Sequence, residues 1–148
     1  MQEPIKATAY CLIEKAGKVL LTKDENKSGW KLPGGEVEKN EFIIDAARRE
    51  VKEETGFEVD ATGIVSIQEY LKESGEHRLR FYFTAQLRGG EEKLMVGEVK
   101  EIKWMDRAKL SKMTESDFYI PPYYLAIQEY LANKNWPLSI LNRYEKTS

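Results

Sequence analysis

The stretch Gly34–Phe57, GGEVEKNEFIIDAARREVKEETGF, decides how the rest of the chain is read. Ile43, Ala47 and Val51 recur every fourth residue, which predicts an amphipathic helix over Phe42–Thr55 with Asn40 as its N-cap. Gly56 stands where a helix ends in a left-handed residue. Glu50, Glu53 and Glu54 crowd the last turn. At 100° per residue the three fit inside an arc of about 100°. Like charges at i,i+4 repel by roughly a few tenths of a kcal/mol, and here they also face the negative end of the helix dipole. Folding gives no reason for this arrangement. A divalent cation with oxygen ligands, Mg²⁺ or Mn²⁺, would give one; a solvated acidic face in a glutamate-rich chain is the alternative.

The neighbours of the cluster fit the first reading. Arg49 lies four residues before Glu53 and is expected to hold that carboxylate by a charged hydrogen bond. Gly34 and Gly35 let the backbone pass close to the same site, where the Gly35 carbonyl is a candidate further ligand. Glu41 is nine residues before Glu50, about 180° away on a regular helix. It acts from the entry turn, or it is a carboxylate favoured by the helix N-terminus.

Outward from this segment, Ile5–Glu14 and Lys18–Lys23 read as strands around the turn Lys15-Ala16-Gly17. Asp24–Gly29 reads as a polar loop, Trp30-Lys31-Leu32 as a short alternation, and Pro33-Gly34-Gly35 as a break in any regular element. Phe57–Leu71 and Arg78–Arg88 read as long strands joined near Glu73–His77, with Arg78, Arg80 and Tyr82 on one face. Ile102–Met105 is a short strand and Arg107–Met113 a weak helix. Pro121-Pro122 opens a last helix to about Ala132, with Tyr123, Tyr124, Ile127 and Leu131 on one face. Interleaved strands and helices give a mixed α/β or α+β class in a single domain over residues 1–148.

Composition excludes several function classes. The 148 residues are 41% hydrophobic and 11% aromatic, too apolar for a disordered chain. One cysteine leaves no internal disulfide or cysteine-built zinc site. The net charge of −2 argues against a nucleic-acid polymer as partner. No apolar run approaches the roughly 18 residues of a membrane span, and Met1-Gln2-Glu3-Pro4 has no leader character, so a cytoplasmic protein is expected.

The quoted segment resembles the signature of the Nudix hydrolases, G-x5-E-x7-R-E-U-x-E-E-x-G-U, where U is a bulky apolar residue. Gly35, Glu41, Arg49, Glu50, Val51, Glu53, Glu54, Gly56 and Phe57 fill every fixed position of a box at residues 35–57. The resemblance implies an α/β/α sandwich with a mixed sheet between helices. It also implies Mg²⁺- or Mn²⁺-dependent cleavage of a pyrophosphate bond in a nucleoside diphosphate linked to a group X. Metal binding falls to Glu50 and Glu54 with help from Glu53, and homodimers are common in the family.

Substrate choice lies outside the box. A coenzyme A element begins like Leu20-Leu21-Thr22-Lys23, but Asp24-Glu25-Asn26 replaces its arginines. Lys72-Glu73 stands where ADP-ribose hydrolases often carry proline, and Ser74-Gly75 where diadenosine-type enzymes carry tyrosine. The MutT-like group remains, acting on nucleoside triphosphates or other small nucleotide derivatives. A nucleotide-sensing module on the same fold is the rival, but such a module is expected to lose box carboxylates or Arg49, and none is lost.

Residues outside the helix complete the expectations. Trp30 precedes the glycines and is a candidate substrate contact. Arg78 and Arg80 are candidates to line a phosphate or base pocket, against a solvated sheet face. Glu98 and Glu101 precede the last strand in a spacing that resembles a loop delivering a late glutamate to the metal. Glu98 has the freer reach and is expected to be a base or an extra metal ligand, against a solvated charged loop; otherwise the base lies in the box, at Glu53. Cys11 is expected to be an inert buried thiol, His77 a surface residue, and Tyr123, Tyr124 and Tyr130 packing residues.

Overall fold

A computed structural model describes residues 3–145. Six strands and three α-helices follow in the order β1 (Lys6–Lys15), β2 (Lys18–Asp24), β3 (Gly34–Glu36), α1 (Ile43–Thr55), β4 (Phe57–Leu71), β5 (His77–Gly90), β6 (Val99–Asp106), α2 (Arg107–Lys112) and α3 (Pro121–Leu131). The strands form one sheet in the order β4-β5-β1-β2-β6, with β3 paired to β1. β1 and β5 run parallel and all other pairs antiparallel, so the sheet is mixed.

The alternation of β1 divides the core. Ala9, Cys11 and Ile13 face α1, where they meet Ala46, Ala47, Val51, Phe81 and Phe83. Tyr10 and Leu12 face the other way, toward Leu110, Tyr123, Ala126, Ile127 and Tyr130 on α2 and α3. Successive side chains of a strand point to opposite faces, so one strand feeds both cores. The result is the expected sandwich of helix, mixed sheet and helix.

Four local expectations need correction. Gly34–Glu36 is not a break but the strand β3: Thr8 pairs with Glu36, Ala9 with Gly35 and Tyr10 with Gly34. Asn40 does not cap α1. It is left-handed, with φ of +64°, which takes it out of the helical path, and Phe42 holds the cap position without a side-chain bond. The last strand is longer than Ile102–Met105, because β2 pairs with it from Val99 to Asp106. On α3 the buried stripe is Tyr123, Ala126, Ile127 and Tyr130, with Tyr124 and Leu131 at its margin. Gly56 ends α1 as expected, with φ of +82° and its N–H donating to the Lys52 carbonyl.

Candidate active site

The box folds as strand, turn and helix, and Gly34–Gly35 crosses beside the C-terminal turn of α1. The Gly34 N–H donates to Glu54 Oε2 at 2.8 Å. A side chain at position 35 would collide with Glu50, since a Cβ there would lie 2.7 Å from its carboxyl carbon. Glycine at 35 therefore leaves room for the Glu50 carboxyl where it lies.

Arg49 organises the carboxylates, chiefly through partners other than the Glu53 its spacing suggested. Its Nε donates to Glu41 Oε2 at 2.8 Å and its Nη2 to Glu41 Oε1 at 3.0 Å, a two-pronged pair. Nη1 donates to Glu50 at 3.0 Å and only loosely to Glu53, at 3.4 Å. Nη2 also reaches the carbonyl of Glu36 on β3 at 3.0 Å. The hydrogen bond from Arg49 holds the Glu41 carboxyl below the usual carboxylate range. Glu41 thus acts from the entry turn, where left-handed Asn40 brings it back along the helix.

Glu50 and Glu54 sit in a different environment. Burial raises the Glu50 carboxyl above its ordinary range, and Arg49 opposes that rise. Glu54 opens to the cleft on one side, but protein surrounds its carboxyl group. Burial pushes it up to about 8, against the pull of Lys31 and the Gly34 N–H. Lys31, itself buried, is held by Asp24 at 2.7 Å.

Among the described residues, no three carboxylate, imidazole or thiol groups stand close enough to hold a metal ion as the side chains lie. Glu50 and Glu53 turn to Arg49, while Glu54 turns to Gly34. The donor chemistry nonetheless fits a hard divalent cation. All the donors are oxygens, and two of the carboxyls stand where burial disfavours their charged form, a cost that a cation would offset.

A cleft of about 300 Å³ gathers residues from distant parts of the chain. Glu54, Gly34, Gly35 and Glu98 line it, as do Arg78 and Arg80. Glu101 does not line it and pairs with Lys23 across β6 and β2. Trp30 is also absent from its walls: the indole packs against the core on the α3 side and carries Lys23 Nζ at 4.4 Å from the ring centre. Arg78 bonds Glu36 at 2.9 Å and also Glu76. Arg80 is buried rather than solvated. The sequence reading passed over Thr8, Tyr10, Lys31 and Asp24, which share the cleft. No local pattern marks them. The pairing of β1 with β3 and β5 brings in Thr8 and Tyr10, and the bridge of Thr22 to Lys31 brings in Lys31 with its partner Asp24.

Comparison with known proteins decides the family, because the model of the NUDIX domain matches residues 4–124. The chain belongs to the Nudix family. A NUDIX hydrolase from Nitrosomonas europaea has the same fold, with a TM-score of 0.80 and 29% identity over 95% of this chain and 98% of that one. The mRNA-decapping enzyme subunit 2 of Saccharomyces cerevisiae is 30% identical over 97% of this chain, which spans 14% of that protein. Phosphatase NudJ of Escherichia coli is 29% identical over 54% of this chain and 54% of its own length. The chain thus spans only part of the length of these two curated relatives. No helix among the described residues is long and apolar enough to cross a membrane.

Proposed function

We propose that the chain hydrolyses a pyrophosphate bond in a nucleoside diphosphate linked to a group X, in a reaction that requires Mg²⁺ or Mn²⁺. The observation that carries this reading is the floor of the cleft. An intact Nudix box presents Glu54 there, buried against the Gly34 N–H, with Glu98 and two arginines along the same walls. Glu50 and Glu54, with Glu53 and the Gly35 carbonyl, are the groups that would hold the cation. The bound cation would neutralise charge on the diphosphate and orient the attacking water. Arg49 positions Glu50 through its grip on Glu41. Glu98, exposed and at the cleft, is the group to accept the proton from water. Arg78 and Arg80 face the substrate, and Trp30 stands outside the cleft with Lys23 over its ring.

The substrate is a small nucleotide derivative in this reading. The yeast relative is named for mRNA decapping, so a capped dinucleotide belongs among the candidates. The test is a panel of nucleoside triphosphates, nucleoside diphosphate sugars, dinucleoside polyphosphates and a capped dinucleotide, each with Mg²⁺ and with EDTA. Metal-dependent release of a nucleoside monophosphate or pyrophosphate from one class supports the reading. Tight binding of a nucleotide without turnover would support the sensing module instead.

A further inference from the structure

Besides the box carboxylates, the cleft is lined by two residues whose side chains carry polar atoms that the protein leaves unsatisfied. Thr8 on β1 stands beside Arg80 on β5 in the parallel ladder, and Tyr10 beside Tyr82. All four face α3, because β1 and β5 alternate in step. Gln68 on β4, opposite Arg80, donates to the Pro122 carbonyl at 2.8 Å and ties the start of α3 over this face.

Arg80 is 4% exposed and Thr8 3%. The guanidinium lies 4.4 Å from the ring centre of Tyr10 and 4.8 Å from that of Tyr123, and its Nε donates to the Tyr82 hydroxyl at 2.8 Å. The rings hold the cation by their faces, and Nη2 is left without a hydrogen-bond partner among the described residues. Arg80 Nη2 and Thr8 Oγ1 are the two buried side-chain polar atoms without a hydrogen-bond partner among the described residues. Both residues line the cleft.

The charges around them sharpen the point. Five cations line the cleft. Lys27 and Lys31 pair with Asp24, Lys72 with Glu76, and Arg78 with Glu36. Arg80, the most buried of the five, has no carboxylate within 4.0 Å among the described residues. An unpaired buried cation with an unmet donor is costly, and the fold retains one here. A guanidinium presents parallel N–H groups that match the oxygens of a phosphate or carboxylate.

We propose that Arg80 and Thr8 form a subsite for an anionic oxygen group of the ligand, in the cleft that Glu54 also lines. The Thr8 hydroxyl donates to one oxygen and the guanidinium to another, while the tyrosines fix the plane of the cation. Two sources supply such oxygens: the scissile diphosphate, or a second anionic group on X. This subsite deepens the proposed hydrolase reading and rests on it for the identity of the ligand, but not for the binding itself.

The test is anion binding without metal. Inorganic pyrophosphate is titrated in EDTA into the whole protein, with sodium chloride at matched ionic strength as the control, and binding is followed by thermal unfolding and tyrosine fluorescence. Pyrophosphate is expected to raise the unfolding temperature of the native protein beyond the chloride control. Arg80→Met weakens that binding by at least roughly tenfold, and near-isosteric Thr8→Val by roughly fivefold. Arg80→Lys, which keeps the charge and loses the fork, falls between the native protein and Arg80→Met. Thr8→Val keeps the question answerable if Arg80→Met does not fold.

The sources separate in a kinetic comparison. If the diphosphate occupies the subsite, Thr8→Val raises KM for a nucleoside triphosphate and a nucleoside diphosphate sugar alike. If an anionic X occupies it, only the triphosphate is affected. Pyrophosphate that shifts neither unfolding nor fluorescence of the native protein, or that binds the variants as well as the native protein, overturns the subsite and leaves the pair as an internal polar contact. Anion binding that depends on Arg80, in a protein that turns over nothing on the panel, keeps the subsite and removes the hydrolase reading instead.

Discussion

Arg49 grips Glu41, eight residues earlier, through two parallel hydrogen bonds of 2.8 and 3.0 Å. The pair closes the entry turn of α1 onto its C-terminal half and leaves Nη1 for Glu50. Arg49 is thus a positioning residue, and its planar fork is what lets one side chain hold two carboxylates and the Glu36 carbonyl. Arg49→Lys is expected to lower kcat by roughly 10–100-fold with a smaller change in KM. Glu41→Gln should give a loss of the same kind, and the double variant should lose less than the product of the two. Steady-state kinetics on the best panel substrate decide it. A pure KM effect would place Arg49 on the substrate.

Glu54 gives a pH-dependent prediction for the metal-free protein. Its folded carboxyl is raised to about 8 by burial, from an ordinary value of 4.5. Across that window the unfolded state binds fewer protons than the folded one, so stability falls as pH rises from about 4.5 to about 8. Below the window both states are protonated and the contribution is complete. Unfolding temperatures in EDTA should therefore show the native protein losing ground to Glu54→Gln as pH rises. A constant gap between the two would contradict the burial argument.

Glu98 and Glu101 separate by their surroundings. Glu98 lines the cleft, while Glu101 is held in the ladder opposite Lys23. A loss of roughly 100-fold or more in kcat is expected for Glu98→Gln, with Glu101→Gln near normal. Unchanged rates in both would move the base into the box, to Glu53.

Cys11 lies fully buried between α1 and the sheet, and burial pushes its thiol up to about 12. A thiol reagent at pH 8 should leave the folded protein unmodified and label one site per chain only when denaturant is added. Prompt labelling of the native protein would show that α1 opens readily.

The parts legible in the sequence are those where local pattern and tertiary structure agree. The four-residue repeat of Ile43, Ala47 and Val51 marks α1, and Gly56 marks its end, because both are properties of a single helix. β3 was not legible. Gly34-Gly35-Glu36 has no strand propensity, and its extended form comes from pairing with β1. The partners of Arg49 were legible only in part, for a related reason: the bond to Glu53 forms, but loosely. An i,i+4 rule assumes a regular helix, and the left-handed Asn40 supplies a closer carboxylate from outside it. Arg80 could be placed on a face with Tyr82 from the alternation alone, but not beneath α3, which arrives from some forty residues later. Thr8 carries no signal at all until its neighbour on β5 is known.

The central claim is metal-dependent cleavage of a phosphoanhydride at the cleft floored by Glu54. Phosphorus NMR of the products formed from the best panel substrate tests it most directly, with native protein in Mg²⁺, native protein in EDTA, and Glu54→Gln in Mg²⁺. The account predicts new monophosphate or pyrophosphate resonances in the first sample, none in the second, and a rate lower by more than roughly 100-fold in the third. Equal turnover in all three samples, or in the native protein with and without metal, would contradict it.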